Sequence, residues 1–131
     1  MDILKQLNNE QREAVIHKDG PILVLAGPGT GKTKVITHRV VHLIREYGVE
    51  PENILAVTFT NRAAQEMRDR ISRRDMLGFE HAQDVWIDTF HAASVRILRE
   101  NADDCGFNSD FNIFDQEIQE EILEECIHSL R

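Results

Sequence analysis

The sequence has few of the features that would place it in several large classes of protein. It contains two cysteines and three prolines in 131 residues. Cys105 and Cys126 match no metal-binding spacing, and we expect both to be buried, reduced thiols. No apolar run reaches the length of a membrane span, and no signal peptide opens the chain. These features predict a cytoplasmic protein with no membrane partner.

An overall basic charge, which is typical of proteins that bind nucleic acids, is also missing. The net charge is −8, but it is distributed unevenly. Residues 1–74 contain 12 Lys/Arg and 9 Asp/Glu, whereas residues 75–131 contain 3 and 14. Salt screens charges that lie more than roughly 8 Å apart. A local basic patch in the first part of the chain can therefore bind phosphate although the whole chain is acidic.

Short apolar runs alternate with amphipathic segments along the chain. Strands are predicted at 22–26, 54–59, 85–88 and 111–114. Helices are predicted at 8–17 with a capping box from Asn8 and Gln11, at 32–46, 61–73 and 89–102, and after Asp115 as N-cap. This order predicts an α/β fold, a parallel sheet with helices on both faces.

The predicted last helix carries an apolar stripe that we expect to be buried. Its members are Ile118, Ile122, Leu123, Cys126, Ile127 and Leu130. The acidic run EILEE at 121–125 places its carboxylates off this stripe, which is typical of a solvated helix face.

The stretch ILVLAGPGTGKTKV, residues 22–35, is an apolar run followed by a glycine-rich turn and a helix. It fits the P-loop pattern, with alanine at position 26 where the strict form has glycine. Glycines let successive backbone N–H groups point at a phosphate, and the helix N-terminus adds its positive dipole. The predicted nucleotide-binding residues are Ala26, Gly27, Pro28, Gly29, Thr30, Gly31, Lys32, Thr33 and Lys34. Lys32 would contact the β- and γ-phosphates, and the Thr33 hydroxyl would bind Mg²⁺.

Other residues indicate which nucleotide the loop would bind and which side chains could be metal ligands. The segment Asn61-Arg62-Ala63-Ala64 fails the guanine-reading N-K-x-D pattern, so ATP is favoured. Asp88 follows an apolar run, where an aspartate could hold Mg²⁺. It could equally cap the helix predicted to begin at Thr89. His38 and His42 are four residues apart without the glutamate of H-E-x-x-H, which indicates packing or surface residues rather than zinc ligands.

Four ordered segments together resemble one family, the UvrD/Rep/PcrA-type DNA helicases of superfamily 1. They are LNNEQREAV at 7–15, AGPGTGKT at 26–33, AVTFTNRAAQEMRDRI at 56–71 and TFHAASVRIL at 89–98. The segment FDQEIQEEILEE at 114–125 is similar to the start of that family's helical insertion. The resemblance implies an incomplete RecA-like P-loop NTPase fold. Residues 1–113 would belong to the first motor domain and 114–131 to the insertion.

The resemblance also implies roles for single residues. Gln11 would read the adenine edge, although it could serve only as a helix cap. The residues implied at single-stranded DNA are Phe59, Thr60, Asn61, Arg62, Thr89 and His91. Phe59 would stack on a base, or else pack in the core, and His91 could be a core histidine instead. The family usually has lysine where Arg62 stands, which keeps the charge but changes the geometry.

The acidic Walker B run of the family and its second RecA-like domain are not in these residues. We therefore expect the N-terminal, ATP-binding part of an ATP-dependent DNA helicase that moves along single-stranded DNA. By itself this part should bind ATP and Mg²⁺ but neither hydrolyse ATP nor unwind DNA. Both activities would also need its partner, the remainder of the helicase motor. One alternative is a small stand-alone P-loop ATPase that uses Asp88 for Mg²⁺. Another is a folded scaffold that binds nothing.

Overall fold

The computed structural model describes residues 2–114 and 116–130. Its helices and strands are α1 (Asn9–Ile16), α2 (Lys32–Tyr47), β1 (Leu55–Thr58), α3 (Asn61–Ile71), α4 (Phe79–Ala82), β2 (Trp86–Thr89), α5 (Phe90–Glu100) and α6 (Gln116–Ser129). Short 3₁₀ helices lie at Ile3–Gln6 and Pro51–Asn53. The chain divides into two compact units between Ala93 and Ser94. Within the described ranges, no helix is long and apolar enough to cross a membrane.

The first unit is organised around a two-stranded parallel sheet. β1 and β2 pair from Leu55 opposite Trp86 to Thr58 opposite Thr89. Two parallel strands need a crossover connection, and α3 and α4 lie in the chain between them. α3 packs on both strands and on α2. The two strands therefore end at the same edge of the sheet, where α3 and α5 begin.

The core of this unit lies where α2, α3 and the strands meet. Its most deeply buried members include Val41 and Ile71, both with no exposed surface. A smaller cluster between α1 and α2 contains Leu7, Ala14, Val15 and Val35. His38 and His42 are buried on α2, and the His42 ring meets the Tyr47 ring edge-on at 5.0 Å. The packing interpretation of these two histidines is confirmed.

Several sequence predictions agree with these elements. The capping box forms as predicted, since the Gln11 amide N–H donates to Asn8 Oδ1 at 2.8 Å and Gln11 Oε1 accepts from the Asn8 amide at 3.2 Å. The strand predicted at 54–59 corresponds to β1, which is one residue shorter at each end. The strand predicted at 85–88 corresponds to β2, which lies one residue further along the chain. The structure thus supports a mixed fold of helices and parallel strands.

The strand predicted at 22–26 is wrong for this structure. The segment has an irregular backbone, and the Leu23 and Leu25 side chains are 82% and 87% exposed. A strand needs a neighbour to satisfy its backbone N–H and C=O groups. In the described part of the chain, β1 and β2 pair only with each other. An apolar pattern alone therefore could not show whether a pairing partner is present.

In the second unit, the described side chains of α6 are exposed. The predicted strand at 111–114 is absent, and the Phe111 ring instead lies 5.8 Å from that of Phe107. The stripe predicted to be buried on α6 is exposed, from 37% at Ile118 to 87% at Leu130. Cys105 and Cys126 are also exposed, so the prediction of buried thiols is wrong. Asp115, the predicted N-cap, lies outside the described residues.

We expect Ile71→Ala to destabilise the chain by about 2–5 kcal/mol, because the side chain is fully buried and its removal leaves a cavity. Leu25→Ala is the matched control, since it removes an exposed apolar side chain and should change stability by no more than about 0.5 kcal/mol. Urea unfolding followed by circular dichroism measures both. A Leu25→Ala cost as large as that of Ile71→Ala would mean that 22–26 is packed in solution.

Candidate functional site

The glycine-rich loop reaches α2 through two residues with left-handed backbone. Gly29 has φ +76° and Gly31 has φ +92°, a region that side chains with Cβ rarely adopt. Gly31 is the N-cap of α2, and no side chain caps the first turn of this helix. The amide groups at the start of α2 are therefore not satisfied by a capping side chain, and the positive end of the helix dipole faces the loop.

Gln11 connects α1 to this loop. Its Nε2 donates to the Thr30 carbonyl oxygen at 3.0 Å, while its Oε1 completes the capping box of α1. A Cβ built on Gly31 would lie 2.9 Å from Gln11 Nε2, closer than real Cβ contacts allow. Gly31 is thus required by its backbone angle, and a Cβ there would also displace the end of the Gln11 side chain from the Thr30 carbonyl. Gln11 therefore caps α1, and the same side chain also holds the loop. Its reading of adenine stays a prediction.

Lys32 folds back over the loop. Its Nζ donates to the carbonyl oxygens of Ala26 at 3.0 Å and Gly27 at 2.7 Å. The Thr30 hydroxyl also donates to the Gly27 oxygen, at 2.7 Å. These carbonyls are neutral, and among the described residues the Lys32 ammonium forms no ion pair. Such a charge, beside uncapped helix amides, favours an anion.

A cavity of about 290 Å³ lies between α1 and the loop. It brings together Gln11, Ala26, Gly27, Thr30 and Lys32 from the predicted nucleotide-binding residues. Its lining also includes residues that sequence analysis did not select, namely Asn8, Glu10, Val24, Leu25 and Val35. The only feature of the sequence that could have indicated these residues is their position near Gln11 and the loop.

The other five predicted residues lie outside that lining, namely Pro28, Gly29, Gly31, Thr33 and Lys34. Thr33 is half-buried in the first turn of α2, and its carbonyl accepts from the Thr37 hydroxyl at 3.0 Å. The Lys34 ammonium is bonded to the Gln6 carbonyl oxygen, so this side chain points away from the loop.

Asp88 is engaged by a neighbouring helix. It lies inside β2 opposite Val57, and its carboxylate pairs with the Arg68 guanidinium of α3 at 3.5 Å. The helix cap is instead Thr89, whose Oγ1 accepts from the Ala92 amide at 3.2 Å. The interpretation of Asp88 as the cap is therefore wrong by one residue. The error arose because β2 extends one residue beyond the strand predicted at 85–88.

An exposed aromatic pair stands where the two strands end. Phe59 follows β1 and is 88% exposed, so its core alternative is wrong. Its ring lies 5.2 Å from that of Phe90, which begins α5 and is 47% exposed. Phe90 was not predicted, although each strand ends in a threonine that is followed by a phenylalanine. The register of Thr58 with Thr89 is what brings these two Thr-Phe pairs together.

The other predicted DNA residues surround this pair. Thr60 caps α3 through a bond from the Ala63 amide to its hydroxyl at 3.2 Å. Asn61 and Arg62 are exposed, and Arg62 pairs with Glu66 at 3.3 Å. His91 is exposed, which excludes its core alternative. Thr89 is buried, at 8% exposure, and serves α5 as its cap.

The family model of the UvrD/REP helicase N-terminal domain matches residues 7–131. The chain belongs to this family. It is 46% identical to the ATP-dependent DNA helicase PcrA of Leuconostoc citreum over 124 residues, which are 95% of this chain and 16% of that protein. The corresponding helicase of Staphylococcus epidermidis is 46% identical over 127 residues, 97% of this chain and 17% of its own length. That of Staphylococcus aureus is 43% identical over 125 residues.

The chain thus spans about one sixth of the length of these curated relatives. The segments that carried the resemblance all lie within the matched range, and the identification of the family from them is confirmed.

The contact between Gly31 and Gln11 can be measured as a coupling energy. We expect Gly31→Ala to cost about 1–2 kcal/mol for the left-handed backbone alone, and more because its Cβ meets Gln11. In a Gln11→Ala background the second cost disappears, so Gly31→Ala should be less destabilising there. Urea unfolding of the single and double variants measures the difference.

Gly29→Ala is the matched control for this cycle. It has the same sign of φ, but a Cβ there meets nothing within 4 Å. Its cost should be the same with and without Gln11. Equal costs of Gly31→Ala in the two backgrounds would show that Gln11 does not approach the loop in solution.

Proposed function

We propose that this chain is the ATP-binding start of a RecA-like motor domain in a DNA helicase that moves along single-stranded DNA in the cytoplasm. Membership of the UvrD/REP family and the likeness to PcrA helicases support the proposal. The observation that carries it is the position of Lys32. Its ammonium lies over the loop carbonyls, in front of a helix N-terminus that no side chain caps.

The residues of the loop fit an ATP phosphate chain with Mg²⁺. The backbone amides of Gly27 and of residues 29–34 would donate to phosphate oxygens, since Pro28 between them has no N–H. Lys32 would exchange its two carbonyl partners for the β- and γ-phosphates. The Thr33 hydroxyl would be a ligand of Mg²⁺, which neutralises phosphate charge when it is bound. Lys34 would contribute only its backbone amide, because its side chain points away from the loop towards Gln6.

Gln11 retains the capacity to read adenine while it holds the loop. A primary amide offers two N–H donors and an oxygen with two lone pairs. One donor is used by Thr30 and one lone pair by the Asn8 amide. The remaining donor and lone pair match the acceptor and donor on the adenine edge. We therefore propose that Gln11 links base recognition to the conformation of the loop.

The edge of the sheet would be the surface for single-stranded DNA. Ligands of parallel sheets bind beyond the carboxyl ends of the strands, where Phe59 and Phe90 are exposed. A base would stack on Phe59, and phosphates would meet Asn61, Arg62 and His91. Thr60 keeps its own hydroxyl hydrogen for a phosphate, whereas buried Thr89 would act by fixing the start of α5.

We propose that these 131 residues do not hydrolyse ATP by themselves. Phosphoryl transfer needs a positioned water and a carboxylate at the metal. Asp88 is held by Arg68, which argues against the alternative of a stand-alone ATPase built on this carboxylate. In the proposed organisation, residues 1–113 belong to the first motor domain and 114–131 to a helical insertion, and the rest of the helicase completes the ATP site.

Lys32→Ala should weaken the binding of Mg-ATP by about tenfold to a hundredfold, because it removes a charge-assisted bond to the phosphates. Calorimetry measures this affinity. Lys5→Ala is the control, since it removes an exposed lysine outside the loop and should leave binding unchanged. Equal affinities of the wild type and Lys32→Ala would refute the proposed site.

Turnover separates the helicase proposal from the stand-alone ATPase. We expect no phosphate release above background, with or without single-stranded DNA, because losing a single arginine finger alone can cost on the order of 10³–10⁵ in rate. Asp88→Asn should not alter ATP binding. Steady-state turnover that is abolished by both Lys32→Ala and Asp88→Asn would support the alternative instead.

A further inference from the structure

A second cationic cavity lies on the other side of α2 from the loop. This α2–α3 cleft, of about 180 Å³, is lined by Gln6, Lys34, His38, Arg70, Arg73 and Asp75. Thr37 and Met76 also line it, and both are buried. The cleft is smaller than the cavity of about 290 Å³ at the loop. It therefore suits a small group such as one phosphate.

His38 gives this cleft an unpartnered polar atom. The residue is 5% exposed, and its Nδ1 lies 2.8 Å from the Lys34 carbonyl oxygen. A carbonyl oxygen only accepts, so Nδ1 carries the hydrogen of this bond. Nε2 is buried and has no hydrogen-bond partner among the described residues. In the neutral ring it is a bare lone pair, and in the charged ring it is a donor without an acceptor.

The charges around His38 do not cancel. Arg73 is neutralised by Asp75 through two contacts of 3.1 Å. The Lys34 ammonium is bonded to a neutral carbonyl and keeps its charge. In the described ranges, the Arg70 guanidinium makes no hydrogen bond or ion pair, and the residue is exposed. Two cations are thus left beside a buried imidazole with a free nitrogen.

We propose that the α2–α3 cleft is a second anion site, separate from the glycine-rich loop, that binds one phosphate group through Arg70, Lys34 and the protonated ring of His38. Phosphate oxygens accept from guanidinium, ammonium and imidazolium donors. The group could be inorganic phosphate or a phosphodiester of a DNA strand, which share this chemistry.

Binding at this cleft is linked to a proton on His38. Burial lowers the pKa of His38 below its ordinary value, and the charges of Lys34 and Arg73 act in the same direction, against the opposing effects of the Lys34 carbonyl and Asp75. Arg70 adds a further positive charge on the side of α3. A bound anion favours the charged ring, so it raises this pKa. Affinity for phosphate should then increase as the pH falls through the titration of His38.

The test uses Lys32→Ala as background, so that phosphate binding at the loop does not contribute. Inorganic phosphate is added at fixed pH while the His38 ring nitrogens are followed by NMR. We expect protonation of Nε2 on binding, and about tenfold weaker binding after Arg70→Gln. Arg74→Gln is the matched control, because it removes an exposed arginine that does not line the cleft.

A second arm replaces phosphate with an oligothymidine. A His38 response to both probes, or to one of them, supports the cleft and identifies the source of the phosphate group. No His38 response to either probe would overturn the proposal, as would equal effects of Arg70→Gln and Arg74→Gln. These outcomes do not depend on ATP binding at the loop, because they are read at His38 in a variant without the Lys32 ammonium.

Discussion

The left-handed backbone at Gly31 is the constraint on which the rest of this structure depends. It ends the loop and begins α2 in one residue, so it sets the direction in which that helix leaves. The side chain of Gln11 occupies the space where any Cβ would lie, and its bond to Thr30 fixes α1 against the loop. α2 then carries Val35 towards α1 and Val41 towards the core, so one helix serves both hydrophobic clusters.

The parallel pairing of β1 and β2 similarly positions the residues of the proposed DNA surface. It places two Thr-Phe sequences that lie far apart in the chain at one edge, with the rings 5.2 Å apart. In each case a threonine hydroxyl caps the helix that follows, Thr60 for α3 and Thr89 for α5. Both threonines were predicted to contact DNA, and in the structure both cap helices. The neighbouring Phe59 and Phe90 remain exposed.

The sequence predicted best what local physics decides. The capping box and the long helix after Lys32 depend on residues within one or two turns of each other, and both form as expected. Predictions failed where distant partners decide. Residues 22–26 have the composition of a buried strand but no strand beside them in the part of the chain that the structure describes. The apolar stripe predicted for the last helix is likewise exposed. Asp88 was misassigned because the pairing of Thr58 with Thr89 extends β2 one residue beyond the predicted strand, which no local pattern shows.

The central claim is that the Lys32 ammonium over the loop marks the place of a nucleotide phosphate. A crystal structure of the chain with Mg²⁺ and a non-hydrolysable ATP analogue tests it most directly. The account predicts that Lys32 Nζ leaves the carbonyls of Ala26 and Gly27 for the β- and γ-phosphates, with Thr33 at the metal and Gln11 beside the adenine. An analogue bound elsewhere, with Lys32 still on those two carbonyls, would contradict it.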